Sequence, residues 1–557
     1  MARQQAIRLE VTASRLKTAL SAGDVTTARQ LEATLREQAR GVHSRTTGPA
    51  WWVASEIPYL GSPVKAARGM SSLTSELSTA VLPATVDAVG VVEPTGTGQV
   101  SDRINLDGLA SVARPMAAAA ATTLAIQQHA SQLPGSTWLS AVNAKLALFR
   151  GDVATLQHAT SDLAVAGRLL PAQLGADGTR RYFVAFETES EARGLGGLPG
   201  AYAILTARHG RLSFSRFGSD TDIGNAHAHV ALGRSFDTAY DSTYAPKDLF
   251  VNSDASPNFP YSAKIWMSMW QDKFHQHLDG AIATDPTALS YLLRTAGAVT
   301  LTDGTTIDAS NAVSFFEHDI YVKYPSALDP SINQARKQYQ TEAARLVASQ
   351  IVHQPMQQLA KALPDLREAV DEHRLLVYTR PGPAESYLSQ RPSGGLLPRT
   401  TRPFVDVTVN NGSAKKVDYY LQRSVTYTRP SCAAGKATVA VVLTNTAPTS
   451  GLPAIVAGER ATPHTAGYAR SDLLVTLYGT QGSTVTSTTI DGHTAYIGAG
   501  SELGHPLTLT DVSIPAGASR TVVFHLHEPA ATGPVIMRSQ PGVNPETLSV
   551  HAPTCGA

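Results

Sequence analysis

Residues 180–222, RRYFVAFETESEARGLGGLPGAYAILTARHGRLSFSRFGSDTD, decide the fold of the middle of the chain. Residues 182–186 and 201–206 are short runs rich in aromatic and aliphatic side chains, a pattern typical of buried strands. Residues 212–217 have the pattern of a third strand, and His209-Gly210 supplies the turn before it. The stretch therefore predicts three consecutive strands at the start of a mixed domain.

Helical and strand-like patterns alternate after this stretch. The predicted helices lie at about 260–275, 286–296, 331–350 and 353–370, and the predicted strands at 280–284, 299–302 and 375–378. Strands mixed with helices over some 225 residues are typical of an α/β or α+β domain. We therefore expect an α/β domain over residues 176–400, which is the candidate catalytic or ligand-binding domain.

The first 175 residues are predicted to form a helical bundle. Apolar residues at 9, 13, 16 and 20, and again at 28, 31, 35 and 42, recur at the spacing of a helix. Gly23-Asp24 supplies a C-cap and an N-cap between these two runs, so they form a helical hairpin. Further helices are expected at about 63–83, 106–131 and 137–170, with a loop at 93–98. A bundle of this kind is typical of a stalk.

Residues 401–557 are predicted to form an all-β domain. Short strands are separated by turns rich in Gly, Pro, Asn and Ser, a spacing typical of an immunoglobulin-like sandwich. The predicted strands are 404–409, 416–427, 438–443, 473–478, 483–489 and 521–527.

Both cysteines, Cys432 and Cys555, belong to this last domain. They are too few for a structural zinc or iron–sulfur site, but they can form one disulfide. Closing so long a loop contributes about 4–5 kcal/mol in the chain-entropy model. Two unrelated buried thiols are the alternative. A disulfide would place the protein in an oxidising compartment.

The composition excludes some classes of protein. The chain has 557 residues, with 46 Lys and Arg against 45 Asp and Glu, so we expect no nucleic-acid partner. Only 16% of the residues are charged, which is common among secreted proteins. The first residues lack the apolar core of a signal peptide. We expect an extracytoplasmic protein whose membrane anchor precedes Met1.

Arg193 is the first candidate ligand-binding residue. It precedes residues 194–200 (GLGGLPG), whose spacing fits neither a dinucleotide fingerprint nor a P-loop. A guanidinium beside exposed backbone N–H groups can clamp a phosphate. The alternatives are an arginine that neutralises the neighbouring glutamates and a glycine turn that approaches another strand.

Asp220 and Asp222 follow the third strand. Two carboxylates at this spacing on a loop can share a Mg²⁺ ion, so both are candidate metal ligands. They can equally cap a turn through hydrogen bonds to the backbone.

Further polar residues could complete a site. Asn258 lies in a polar loop that is either part of an active site or the start of a helix. Lys323 lies in EHDIYVKYP (317–325) and Arg336 opens a later helix. A pocket built from these residues could be basic enough for a phosphorylated ligand.

The order of these motifs resembles a family called domain of unknown function 4012. The resemblance rests on residues 180–222 and on VNSDASPNFPYSA (251–263), LDGAIATDPTALSYLLRTAGAV (278–299), HDIYVKYP (318–325) and DYYLQRSV (418–425). It covers roughly residues 165–430. Members typically carry a transmembrane helix before such a bundle, which implies the anchor expected above.

The same order is more distantly similar to the LytR-CpsA-Psr family. Those enzymes transfer glycopolymers from polyprenyl-pyrophosphate carriers to peptidoglycan. The resemblance implies that Arg193 and Arg336 hold a pyrophosphate and that Asp220 or Asp222 positions Mg²⁺, which makes Arg193, Asp220 and Asp222 the candidate catalytic residues. Arg216 falls short of the place where that family has a further arginine, and we keep it as a candidate ligand-binding residue.

We therefore expect a cell-envelope protein that acts on or binds a polyprenyl-pyrophosphate-linked or cell-wall glycan. Whether it is an enzyme stays open at this point. One alternative is a non-catalytic scaffold or glycan-binding module. The other is a glycoside hydrolase of cell-wall polysaccharide, because acidic residues are plentiful.

Overall fold

The N-terminal part of the chain is helical. A computed structural model describes residues 2–22, 24–92, 103–354 and 361–556. The first helices are α1 (Ala2–Ser21), α2 (Val25–Thr46), α3 (Pro49–Glu56), α4 (Ser62–Glu76), α5 (Leu82–Val92), α6 (Leu106–Gln132) and α7 (Ser140–Gln173), with a π-helical turn, Leu77–Val81, between α4 and α5. The predicted hairpin is confirmed, because Asp24 caps α2 by accepting a hydrogen bond from the Thr27 N–H at 2.9 Å. Gly23 and the predicted loop at 93–98 lie outside the described residues.

These helices bury the apolar faces that the sequence pattern predicts. Leu16 of α1 packs with Ala28 and Leu35 of α2, and Met116 of α6 lies in the core beside Leu156 of α7. Within the described residues, α6 is the one helix long and apolar enough to cross a membrane. The core helices of soluble proteins pass the same test. Residues 1–180 form one compact unit with 207–212 and 354–361, and the rest of the chain forms a second.

The second unit begins with a five-stranded sheet. The strands of this part are β1 (Arg180–Arg193), β2 (Gly196–Arg208), β3 (Arg211–Ser219), β4 (Gly280–Thr284), β5 (Val299–Thr300), β6 (Thr306–Ile307) and β7 (Leu375–Thr379). The sheet order is β3-β2-β1-β4-β7, while β5 and β6 form a separate ribbon. β4 runs parallel to β1 and antiparallel to β7.

Four long helices accompany this sheet: α8 (Phe259–Phe274), α9 (Pro286–Ala296), α10 (Pro330–Val352) and α11 (Leu363–Asp371). The even-numbered residues Val184 and Phe186 of β1 pack in the same core as α9 and α10. The odd-numbered Phe183 packs in another core with Trp266 of α8. This alternation is the two-residue period of a strand that is covered on both faces.

Two further sheets form the C-terminal part. The strands are β8 (Phe404–Asn411), β9 (Leu421–Thr428), β10 (Gly435–Asn445), β11 (Ser471–Tyr478), β12 (Thr484–Ile490), β13 (His493–Thr494), β14 (Gly498–Glu502), β15 (His505–Ile514), β16 (Ser519–Glu528), β17 (Ile536–Arg538) and β18 (Thr547–His551). One sheet has the order β13-β12-β16-β10-β9-β18 and the other β14-β15-β11-β8-β17. Helices at the N-terminus and β-sheets at the C-terminus are thus as predicted. The immunoglobulin-like identity and the boundary at residue 400 stay predictions.

One strand prediction in this part is wrong in its first half. Residues 416–427 were expected as one strand, but Lys416–Tyr420 is a 3₁₀ helix and β9 starts at Leu421. The cause is Asp418, whose buried carboxylate accepts hydrogen bonds from the Ala192 N–H at 3.0 Å and from Asn411 Nδ2 at 2.7 Å. These bonds to β1 and β8 accompany the helical turn that precedes β9.

The predicted disulfide is present. Cys432 and Cys555 are bonded, with Cα atoms 5.6 Å apart, and the bond closes a stretch of 123 residues. The C-terminal sheets and the preceding part of this unit also share a core, in which Phe404, Tyr478 and Leu507 pack with the residues of α8.

Candidate functional site

Strand β1 is longer than its parallel neighbour. β4 pairs with β1 from Tyr182 to Phe186. Asp285 then ends the strand by capping α9, accepting a hydrogen bond from the Ala288 N–H at 2.7 Å. Residues 187–193 therefore extend past the carboxyl end of β4, which is where open α/β sheets usually bind ligands. Here the whole segment is buried.

Arg374 holds two carboxylates at this end of the sheet. Its Nη1 donates to Glu189 Oε1 at 2.7 Å and to Asp285 Oδ2 at 3.0 Å. Burial, followed by the charge of Glu189, raises the pKa of Asp285 to about 7. Glu317 lies nearby and accepts hydrogen bonds from the N–H groups of Glu189 and Ser190. Burial raises its pKa to about 8, again with Glu189 as the next cause.

The buried carboxyl groups of Glu187 and Asp254 have oxygens without hydrogen-bond donors in the part of the chain that the structure describes. Within the described residues, Glu187 Oε1 and both Asp254 oxygens lack a hydrogen-bond partner. Burial raises the pKa of both groups well above the usual range, and the charges of Asp254 and Asp285 add to the rise at Glu187. Neutral carboxyl groups can act as general acids. Their side chains, however, are closed to solvent, since Glu187 is 5% and Asp254 0% exposed.

Arg193 is engaged by the protein itself. Its guanidinium donates to the carbonyl oxygens of Val251 at 3.2 Å, Ala192 at 2.9 Å and Asn411 at 3.0 Å, and to Asn252 Oδ1 at 3.2 Å. The residue is 6% exposed. Arg193 therefore ties β1 to β8 and to the loop before α8.

The glycine turn after Arg193 approaches other backbone, one of the two alternatives that the sequence allows. Gly194 N–H donates to Asn410 Oδ1 at 3.0 Å, and Leu195 N–H donates to the Asp254 carbonyl at 3.3 Å. A Cβ atom on Gly194 would lie 2.2 Å from the Ala255 carbonyl oxygen. Only Gly can be accommodated at this close approach.

Asp220 and Asp222 make an ion pair and a cap. Asp220 Oδ1 accepts a hydrogen bond from Lys337 Nζ at 2.6 Å. Asp222 Oδ2 accepts from Tyr202 OH and from the Ser219 N–H, each at 3.2 Å, and forms a capping box with Ser219. Each carboxylate therefore has one oxygen engaged by donors of the protein. In the described ranges, no group of three or more His, Cys, Asp or Glu residues could hold a metal. The contacts match the cap that the sequence also allows, and the Mg²⁺ site stays a prediction.

Arg336 lies within α10, and Lys323 ends the short helix Ile320–Lys323 that precedes α10. Arg336 is buried, and its Nη2 donates to Asn333 Oδ1 at 2.6 Å, while its Nε and Nη1 lack a partner among the described residues. Its guanidinium carbon lies 5.6 Å from the centre of the Tyr321 ring. Lys323 forms an ion pair with Asp303.

The last two predicted residues lie near α8. Arg216 is exposed, and its guanidinium carbon lies 4.2 Å from the centre of the Phe274 ring. Asn258 occupies the N-cap position of α8, but its side chain accepts a hydrogen bond from the Leu397 N–H at 3.0 Å and does not cap the helix. Arg193 thus contacts β8, whereas Asp220 contacts α10. The predicted phosphate and metal ligands have different neighbours.

A cleft of about 1010 Å³ lies elsewhere in the same unit, and sequence reasoning did not predict it. Three arginines, Arg234, Arg399 and Arg402, line this arginine cleft, and none of its lining residues in the described structure is acidic. The other lining residues are Leu232, Gly233, Ser235, Tyr261, Thr400, Thr401, Gln481, Leu503 and Gly504. Arginines without acidic partners in a concave site attract anions, above all phosphate and carboxylate groups.

Two of these arginines project into solvent and one is fixed. Arg402 donates from Nε and Nη2 to the Pro534 carbonyl at 3.0 and 2.9 Å, which holds its guanidinium plane in place. Arg234 and Arg399 are exposed. The cleft therefore offers one rigid and two adaptable cationic groups.

Glu502 lies next to the cleft residues Leu503 and Gly504. It is fully buried, accepts a hydrogen bond from Ser256 Oγ at 2.7 Å and another from Tyr240 OH. Burial raises its pKa to about 7. Below that pH the carboxyl group is therefore mostly neutral and adds little negative charge beside the cleft.

The arginines of this cleft are visible in the sequence, but no neighbouring motif marks them as ligand-binding residues. Arg399 and Arg402 stand in LPRTTRPF (397–404), between two prolines and just before the predicted strand 404–409. Arg234 comes from a segment 165 positions earlier, and only the fold brings it to the other two.

Comparison with known proteins gives one match. Residues 177–321 match the model of a family described as "Protein of unknown function (DUF4012)". The match supports the resemblance to that family, and it covers Arg193, Arg216, Asp220, Asp222 and Asn258 but not Lys323 or Arg336. The similarity to the LytR-CpsA-Psr family is not shown by it. No curated protein and no solved structure matches the chain.

Proposed function

We propose that this protein is an extracytoplasmic cell-envelope protein that binds a phosphate-bearing glycan or its polyprenyl-pyrophosphate carrier in the arginine cleft. The observation that carries the proposal is the unbalanced positive charge of Arg234, Arg399 and Arg402 in a cleft of about 1010 Å³. That volume lies at the upper end of the usual range for small-molecule sites. A guanidinium offers the paired donors that suit a phosphate oxygen pair.

The compartment in this proposal rests on the disulfide and the composition. Disulfides persist in oxidising environments outside the cytoplasm. The bond between Cys432 and Cys555, together with the low content of charged residues, supports an extracytoplasmic location.

The contacts favour a protein that binds its ligand over an enzyme that transfers or hydrolyses it. A phosphotransferase of the LytR-CpsA-Psr type would need Arg193, Arg336 and an aspartate around one pyrophosphate. Arg193 instead donates to three carbonyl oxygens, and Asp220 is paired with Lys337. A glycoside hydrolase would need an accessible pair of carboxyl groups, and the two with unsatisfied oxygens and raised pKa values, Glu187 and Asp254, are closed to solvent.

Calorimetric titration with farnesyl pyrophosphate, with and without Mg²⁺, tests the proposal. We expect the wild-type protein to bind and Arg399→Gln to weaken binding at least about tenfold, because a charge-assisted hydrogen bond is lost. Arg345→Gln is the matched control, since Arg345 is exposed on α10 outside the cleft. Absence of binding, or equal affinities of wild type and Arg399→Gln, would overturn the proposal.

A further inference from the structure

Large apolar side chains are exposed at one end of the helical unit. They come from α3, from the turn between α3 and α4, and from the residues just before α7. We call this group the apolar tip: Trp52, Val53, Ile57, Tyr59, Leu60, Trp138 and Leu139. Tyr59 is 92% exposed, and Trp52, Leu60 and Trp138 are each more than half exposed. Soluble proteins rarely leave such a group in water without a partner.

Local contacts hold these residues together as one surface. Trp138 Nε1 donates to the Leu60 carbonyl at 3.4 Å, which joins the residues before α7 to the turn before α4. Arg68 Nη1 of α4 donates to Ser55 Oγ of α3 at 2.6 Å and fixes α3 beside α4. Tyr59 has a φ of 68°, a left-handed conformation that is uncommon for a bulky residue. The backbone thus presents the phenol ring outward.

The surroundings of the apolar tip are basic. Residues 38–75, which include α3 and the turn after it, contain four Arg and Lys residues but a single acid, Glu56. Lys145 of α7, by contrast, is paired with Glu10. Arg45, at the end of α2, and Lys65, in the first turn of α4, are both exposed. An apolar surface with a basic collar is complementary to a layer that is apolar inside and anionic at its surface.

We infer that the apolar tip binds the surface of an anionic lipid bilayer, with its tryptophan and tyrosine rings at the level of the headgroups. Trp and Tyr are enriched at membrane interfaces because each ring has an apolar body and a polar end. Basic residues next to such rings add attraction to anionic lipids. The inference rests on the helical unit alone and is independent of the arginine cleft.

Binding to vesicles tests the inference directly. The full chain is sedimented with vesicles of equal parts phosphatidylglycerol and phosphatidylcholine. We expect wild type to bind and Tyr59→Ser/Leu60→Ser to bind at least about tenfold more weakly, since two large apolar groups are lost. The control, Leu170→Ser/Leu328→Ser, removes two exposed leucines elsewhere and should bind like wild type.

The basic collar is tested separately. Arg45→Gln/Lys65→Gln should weaken binding about fivefold per charge on these vesicles, and should have no effect on pure phosphatidylcholine. Equal binding of this variant and wild type to both kinds of vesicle would overturn the role of charge.

Tryptophan quenching by brominated phosphatidylcholine needs no variant. Trp52 and Trp138 are exposed, whereas Trp266 and Trp270 are buried, so quenching reports contact of the apolar tip with lipid. We expect quenching in the mixed vesicles. Its absence would overturn the inference. So would a lipid-free dimer, detected by light scattering, that Tyr59→Ser/Leu60→Ser dissociates, because a second copy would then cover the tip.

Discussion

At the scale of single residues, burial decides what a charged side chain can do. Arg193 and Arg399 are both arginines beside turns, yet Arg193 is surrounded by four protein acceptors and Arg399 faces an open cleft. The sequence around Arg193 could indicate a clamp or a structural residue, because spacing does not reveal depth. Three of the four acceptors come from β8 and from the segment before α8, at positions far along the chain.

We predict that Arg193→Ala lowers the free energy of unfolding by roughly 3 kcal/mol, because four acceptors, two of them in buried contacts, lose this donor. Urea unfolding measures the change. Arg216→Ala serves as the control, since Arg216 is exposed and should change stability by less than about 1 kcal/mol. Unfolding of Arg193→Ala at the wild-type urea concentration would contradict the structural role.

Glu502 makes stability depend on pH. Its pKa is raised from 4.5 to about 7 by burial, so the native state holds a proton that the unfolded state has lost between these values. The stabilisation is complete below pH 4.5 and is lost as the pH rises through 7, on the order of 3 kcal/mol in total. Glu502→Gln stays neutral and should lack this loss, so its stability relative to wild type should increase from pH 4.5 to 8.

Urea unfolding at pH 4.5 and at pH 8 measures the difference in the free energy of unfolding between Glu502→Gln and wild type. Asp511→Asn, at an exposed position of the same unit, is the control and should keep the wild-type slope. A parallel pH dependence of Glu502→Gln and wild type would show that Glu502 is ionised in the native state.

At the scale of elements, most helices and strands were predictable from periodicity and caps. The hairpin of α1 and α2 follows from a run of apolar residues on each side of Asp24, and β1 to β3 follow from short apolar runs around one turn. The error at 416–420 has a tertiary cause, because Asp418 leaves the strand to bond with Ala192 and Asn411. The strand propensity of residues 416–420 contains no information about such a distant partner.

The disulfide is the element-scale feature with the largest expected effect. It ties the residues after β18 to the connection between β9 and β10. Cys432→Ser/Cys555→Ser should lower the free energy of unfolding by about 4–5 kcal/mol, because a loop of 123 residues is released in the unfolded state. Calorimetric melting measures the change. Reducing agent should shift the wild type toward the double variant and leave the variant unchanged, and identical melting of both oxidised proteins would contradict the prediction.

At the scale of the whole molecule, the candidate site is a product of the fold. Arg234 and Arg399 stand 165 positions apart and share one cleft. The three arginines are visible in the sequence, but the fold brings them together, because the C-terminal sheets pack beside the segment before α8. Some of the predicted site residues, such as Arg216, are exposed, and others, such as Arg193, are buried. They contact different parts of the same unit.

The central claim is that the arginine cleft, and not the surroundings of Asp220 and Arg336, takes the phosphate-bearing ligand. Hydrogen exchange of the backbone amides, with and without saturating farnesyl pyrophosphate, tests it most directly. We predict slower exchange at residues 232–235 and 399–402 and unchanged exchange at residues 216–222 and 333–337. Protection confined to residues 216–222 and 333–337 would contradict the claim and place the ligand beside Asp220 and Arg336.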